Sequence, residues 1–281
     1  MAIRIVQSKQ NARLKELRAA LLRPAKSLGE AGAAIAIEGL NLAAEALRSG
    51  LTLDTVFVAQ GHESLVSQLG LSPETDILAL PADLLASAVT TESPQPIAAL
   101  LRPHAWEWTD LLPDDSPAPA LLIVLAGIQD PGNLGTILRS AEAFAANGIL
   151  TLPGTVSPWN PKAVRASAGS VFRLPLIAVS PVDCFQRLAA ARVTTLAAMA
   201  RDAQPLGQAN LAASVALFIG SEGSGLAPEI AQQCAARITI PCPGPVESLN
   251  AAVAASVLLY EASRQRSALT SAPLQFPGVP R

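Results

Sequence analysis

Beyond residue 120, strand-length apolar runs alternate with helix-length segments down to residue 266, and this alternation confines the chain to few folds. Strands are predicted at 121–126, 149–152, 194–200, 215–220 and 238–241. Helices are predicted at 134–146, 162–168, 181–191, 228–235 and 249–266. Strands separated by helices argue for a parallel sheet covered on both faces. The stretch 251–260 is apolar all round, which predicts a helix covered on every side.

A smaller α/β unit precedes this domain. Apolar runs at 34–37, 56–59 and 77–80 read as strands, and 40–49 reads as a helix ended by Gly50 at the C′ position. The segment 102–119, with Pro103, Pro113, Pro117 and Pro119, reads as a linker, and its Trp106 and Trp108 receive no function. The expected division is therefore 1–101, a linker at 102–119, a larger domain at 120–268 and a tail at 269–281.

Half of the 281 residues are hydrophobic, enough for packed cores. A net charge of -2 gives no global polybasic signal. Cys184, Cys234 and Cys242 are odd in number and lack a CxxC pair, so they read as reduced thiols without disulfide or zinc. His62 and His104 are too few for a metal site, and none is expected. The first residues lack an apolar leader, and no apolar run approaches the roughly 20 residues that span a bilayer. A cytoplasmic protein with no membrane partner is expected.

Charge is nevertheless uneven. Residues 1–30 hold seven cations against two acids, a balance of +5. Ser8 is the expected cap of a helix with Leu14, Leu17, Leu21 and Leu22 at helical spacing. That helix leaves Lys9, Arg13, Lys15 and Arg18 as candidate RNA contacts, although these residues alone fit a solvated face equally well.

Three loops carry the chemistry. The first, 127–135, has the GxxxxG spacing of a P-loop, but Asn133 and Leu134 stand where Lys and Ser/Thr would bind phosphate and magnesium. The second, 220–225, orders its glycines wrongly for a dinucleotide fingerprint, which argues against a nicotinamide oxidoreductase. The third, 240–250, is a stiff proline-rich turn that delivers Ser248 and Asn250 to the last helix.

In order, the three loops resemble the motifs of the SpoU (TrmH-like) family of RNA 2′-O-ribose methyltransferases. Asp130-Pro-Gly-Asn133-Leu-Gly135-Thr-Ile-Leu-Arg139 is similar to the first motif, and Lys162-Ala-Val-Arg-Ala-Ser167-Ala-Gly169 follows it. Phe218-Ile-Gly220-Ser-Glu222-Gly223-Ser-Gly225-Leu is similar to the second. Ile240-Pro241 through Ser248-Leu249-Asn250 is similar to the third. The match covers about residues 120–266. The stretch 38–47 resembles, more loosely, an L30e-like RNA substrate-binding domain.

The resemblance implies an α/β chain whose C-terminal parallel-sheet methyltransferase domain forms a trefoil knot, and it implies a homodimer. It implies S-adenosyl-L-methionine as cofactor and the ribose 2′-hydroxyl of a structured RNA as acceptor, with ribosomal RNA of the 23S type before tRNA. The alternative is a catalytically silent RNA-binding or ribosome-assembly protein. Catalytic roles fall on Asn133, Arg139, Glu222, Ser248 and Asn250, and cofactor contacts on Gly220, Ile240 and Leu249.

Overall fold

The computed structural model describes residues 2–24, 34–113, 118–246 and 248–269. In chain order the first elements are β1 (Ile3–Ile5), α1 (Ala12–Leu22), β2 (Ile35–Glu38), α2 (Leu40–Arg48), β3 (Leu53–Ala59), β4 (Asp76–Leu80), α3 (Ala82–Ala86), β5 (Ile97–Leu101) and α4 (Trp108–Leu111). Next come β6 (Leu121–Ala126), α5 (Pro131–Ala143), β7 (Gly148–Leu152), α6 (Pro161–Ser167), β8 (Leu176–Ala178), α7 (Pro181–Ala190) and β9 (Thr194–Ala198). The last are β10 (Gln204–Pro205), β11 (Val215–Gly220), α8 (Pro228–Gln233), β12 (Ala236–Thr239) and α9 (Ala251–Leu269). The chain gathers into two compact units, Met1–Trp106 with Asp130–Arg139 and Val156–Leu174, and Glu107–Gln129 with Ser140–Thr155 and Pro175–Arg281.

The first unit is built on a sheet in the order β1-β4-β3-β5-β2, with β5 antiparallel to β2 and β3. Leu14, Leu17 and Leu21 of α1 and Leu84 and Leu85 of α3 bury against Phe57, Leu78, Leu80 and Leu100. The alternate strand residues Val56, Val58, Ile77 and Ile97 are buried too, so the sheet is covered on both faces. This double burial explains why the uniformly apolar β5 shows no period-2 signal.

Two local expectations change. Asn11, not Ser8, caps α1: its side chain accepts the Leu14 N–H at 3.2 Å. Ser8 stands four residues before the first helical residue and instead accepts the Gln10 N–H in a turn. Leu22 points to solvent at 63% exposure, outside the stripe made by the other three leucines.

The second unit holds a sheet of seven strands, β10-β12-β9-β11-β6-β7-β8, in which each described pairing is parallel. Phe185 of α7 stacks on Phe218 of β11 with centroids 5.0 Å apart. The proline-rich segment contributes to this core. Leu111 of α4 is fully buried, and a side chain on Gly148 would meet it at 2.8 Å. At its far end α9 is tied down by Arg266, whose guanidinium donates to the carbonyls of Ala120, Leu211 and Ala213. Helix α9 is not covered on every side, because Val253 is 49% and Tyr260 57% exposed. Lys26, Pro117 and the tail beyond residue 269 lie outside the described residues.

Candidate functional site

Adjacent strands β12, β9 and β11 end together, and beyond their carboxyl ends lies a cleft of about 810 Å³. Ligands of open parallel sheets bind at such ends, and small-molecule sites run from about 300 to 1,000 Å³. The walls are the loops following the three strands, closed by the opening turns of α9.

The β11 loop folds back on itself. Ser221 and Gly225 exchange backbone hydrogen bonds of 3.1 and 3.0 Å. A Cβ on Gly220 would lie 2.1 Å from the Gly225 carbonyl carbon and 2.2 Å from the Leu226 nitrogen. The chain's own return therefore requires glycine at 220, before any ligand is considered. Glu222 stands exposed on this turn and lines the cleft.

Ile240, Ser248 and Leu249 line the opposite wall. Asn250 follows them and caps α9, its Oδ1 accepting the Ala252 N–H at 2.9 Å and the Val253 N–H at 3.3 Å. The described lining does not include Asn250. A cap of this kind contributes about 0.5–2 kcal/mol and fixes where the preceding Ser248 and Leu249 emerge.

The first glycine loop is fixed by a different clamp. Thr155 Oγ1 donates to the Leu125 carbonyl at 3.0 Å and accepts the Gly127 N–H at 3.1 Å. Asp130 then opens α5, its Oδ1 accepting the Asn133 N–H at 2.8 Å and its Oδ2 the Lys162 ammonium at 2.8 Å. The Lys162 bond, followed by the Asn133 N–H, holds the Asp130 carboxyl below the usual carboxylate range. Asn133 is half-buried and Arg139 exposed on α5, within the first unit. Ser140 joins the same helix to α9 through a 2.8 Å bond with Ser256.

The expected residues thus divide by place. Gly220, Glu222, Ile240, Ser248 and Leu249 share the cleft, Asn250 caps the helix leading from it, and Asn133 and Arg139 belong to α5. Sequence reasoning missed the third wall, the β9 loop with Arg201 and Asp202. It carries no glycine signal, and only its position after a strand marked it.

The charged residues of the described lining, Arg201, Asp202 and Glu222, mix both signs among apolar Ile219, Ile240 and Leu249. Such a set suits a ligand with a zwitterionic end and an apolar base. A cysteine nucleophile finds no support in the core: burial pushes Cys184 up to about 12 and Cys234 up to about 11.

Among the N-terminal cations, Arg13 pairs with Glu16 at 2.8 Å, and Arg18 donates to the Ser87 carbonyl at 2.9 Å. Lys9 and Lys15 are exposed.

Comparison with known proteins points to one family. A family model described as the SpoU rRNA Methylase family matches residues 120–260. A tRNA/rRNA methyltransferase of Mycolicibacterium vanbaalenii, itself uncharacterized, is 33% identical over 237 residues, covering 81% of this chain and 76% of its own. The 23S rRNA (guanosine(2553)-2'-O)-methyltransferase RlmP of Bacillus subtilis is 30% identical over 225 residues, 80% of this chain and 86% of its own. Among solved structures, the SpoU methyltransferase AviRb of Streptomyces viridochromogenes, in complex with the cofactor AdoMet, superposes with a TM-score of 0.76. It is 26% identical and covers 92% of this chain and 99% of its own.

Proposed function

The chain belongs to the SpoU rRNA methylase family, and on that premise we propose that it transfers a methyl group from S-adenosyl-L-methionine to a ribose 2′-hydroxyl of structured RNA, with 23S-type ribosomal RNA as first substrate and tRNA as second. The observation that carries this reading is the cleft, on which five residues of the second and third motifs converge. A catalytically silent role leaves this convergence, and the presence of Asn133 and Arg139 on α5, without a reason.

When bound, S-adenosyl-L-methionine supplies an electrophilic methyl on a sulfonium. Ile240 and Leu249 cover its apolar part, and the turn fixed by Gly220 presents main chain to it. Arg139 holds the 2′-oxygen and a neighbouring phosphate, a task of position and charge, since a guanidinium hardly gives up its proton in a protein. Glu222 is the proton acceptor, and Asn133, Ser248 and Asn250 fix the groups around it. No helix of the described residues is long and apolar enough to cross a membrane. The protein is assigned to the cytoplasm.

Two further assignments complete the reading. Residues 1–101 form the L30e-like module that selects RNA, joined through 102–119 to the methyltransferase domain at 120–268. A second copy of the chain covers exposed Val253 and Tyr260, which stand two turns apart on α9 with Phe144 edge-on to the tyrosine at 6.1 Å. Mapping 2′-O-methylated positions in RNA from a deletion strain and its parent tests the whole. One ribose lost from ribosomal RNA is expected, and identical maps would overturn the reading.

A further inference from the structure

Two cations near the first motif have no task toward substrate in that account: Arg165, and Lys162 beyond its pair with Asp130. Lys162 and Arg165 stand one turn apart on α6, and both are exposed. Their helix packs on α5 backbone to backbone: a Cβ on Gly135 would lie 2.4 Å from the Ala163 carbonyl oxygen and 2.6 Å from the Ala166 Cβ. A Cβ on Gly132 would lie 3.2 Å from the Lys162 Cε. Gly132 and Gly135 therefore mark the α5 face turned to α6. Arg139 recurs on that face one turn beyond Gly135, and it is exposed.

Three positive charges are thereby set along two helices held closely together, because at the crossing Gly135 meets only α6 backbone and the small Ala166 side chain. The acid in this group is Asp130, paired with Lys162. Among the described residues neither Arg139 nor Arg165 is held in an ion pair. The exposed positions of α6 are Lys162 and Arg165, with Ala168 just past its end, so this side lacks the large apolar anchors on which protein partners dock. A surface of fixed cations without apolar anchors matches a phosphate backbone.

We propose that the α6 face is a phosphate-binding surface for the RNA strand flanking the acceptor ribose, with Lys162 and Arg165 as RNA-binding residues. The inference rests on the reading of the chain as an RNA methyltransferase. The Asp130 pair restrains the long lysine stem and so lowers the ordering cost when Lys162 meets a phosphate. Arg165, on the next turn, extends the contact along the strand.

The test is RNA affinity of the full-length protein across roughly 50 to 200 mM salt, with S-adenosyl-L-methionine affinity measured beside it. The probe is the RNA whose methylation the wild type supports. Arg165→Gln and Lys162→Gln are each expected to reduce the slope of log affinity against log salt by about 0.7–0.9, and the double variant by about twice that. Cofactor affinity is expected to stay at the wild-type value. An unchanged slope in the double variant would overturn the proposal, as would a fall in cofactor affinity, which would mark these residues as structural. Failure of the wild type to methylate or bind RNA would instead remove the reading on which the proposal rests.

Discussion

Gly220 and Gly225 approach so closely that a side-chain carbon on the first would stand 2.1 Å from the carbonyl carbon of the second. The last residue of β11 and the turn it feeds are thus one unit, and the cleft wall depends on glycine at 220. Gly220→Ala is expected to open this turn and weaken S-adenosyl-L-methionine binding by about tenfold or more, read by calorimetry. Cooperative unfolding of the sheet, followed beside it, should be retained. Wild-type affinity in this variant would separate the turn from the cofactor.

The exposed side of α9 leads to a prediction about assembly. Val253→Asp with Tyr260→Asp places two charges on the face assigned to a second copy, where burial of an unpaired carboxylate is costly. Sedimentation should show a dimer for the wild type and a monomer for the variant. Equal molecular masses would reject this face as the interface.

Acid stability should depend on Glu261. Its carboxylate accepts from Arg264 and from Gln265, and these bonds hold it down at about 2. Because the folded value lies below the unfolded one, near 4.3, the stabilisation is complete above about pH 4.3 and is lost as pH falls toward 2. Gln265 passes the restraint on, donating to Ala209 and accepting from Leu211. Glu261→Gln is expected to lower the urea midpoint at pH 7, and its difference from wild type should shrink toward pH 3. A difference that stays constant across that window would remove the charge from the explanation.

The basic N-terminal helix is expected to contribute unequally to RNA binding. Arg13 and Arg18 already spend donors on Glu16 and Ser87, whereas Lys9 and Lys15 are exposed. Changing all four to Gln should flatten the salt dependence of RNA affinity without moving cofactor affinity, and the Lys9 and Lys15 pair should account for most of that change. An unchanged slope in the quadruple variant would make this face a solvated one.

Much of this arrangement was legible in the sequence because it is written locally. Strand β11 was predicted at its observed bounds, and α7 to within one residue, since Ser180 and Pro181 give a capped start with proline at the first helical position. Strand β5 is the harder one to read because Ile97-Ala-Ala-Leu-Leu101 holds a single β-branched residue, and a short apolar run without one does not distinguish a buried strand from a buried helix. Asn11 and Ser8 are both capping residues by type, and only their spacing to the first turn, fixed by the structure, decides for Asn11. Of the site, the glycine loops were readable as loops, but the reason for Gly220 was not, since it lies in contact with a residue five positions on. Arg201 was hidden for a related reason, and Lys162, legible as part of the stretch that follows the first motif, could not be set beside Asp130. Their places depend on strand order and on the crossing of α5 with α6, which no period in the chain records.

The most direct measurement is methyl transfer by the purified protein from labelled S-adenosyl-L-methionine to ribosomal RNA lacking the modification, followed by alkaline hydrolysis. A 2′-O-methyl group blocks cleavage at its own nucleotide, so label in an alkali-resistant dinucleotide reports the ribose. Wild type is expected to place label there, and Arg139→Ala should slow the transfer by about 100-fold or more while binding the cofactor at wild-type affinity. Label released in mononucleotides, or a variant as fast as the wild type, would contradict the account.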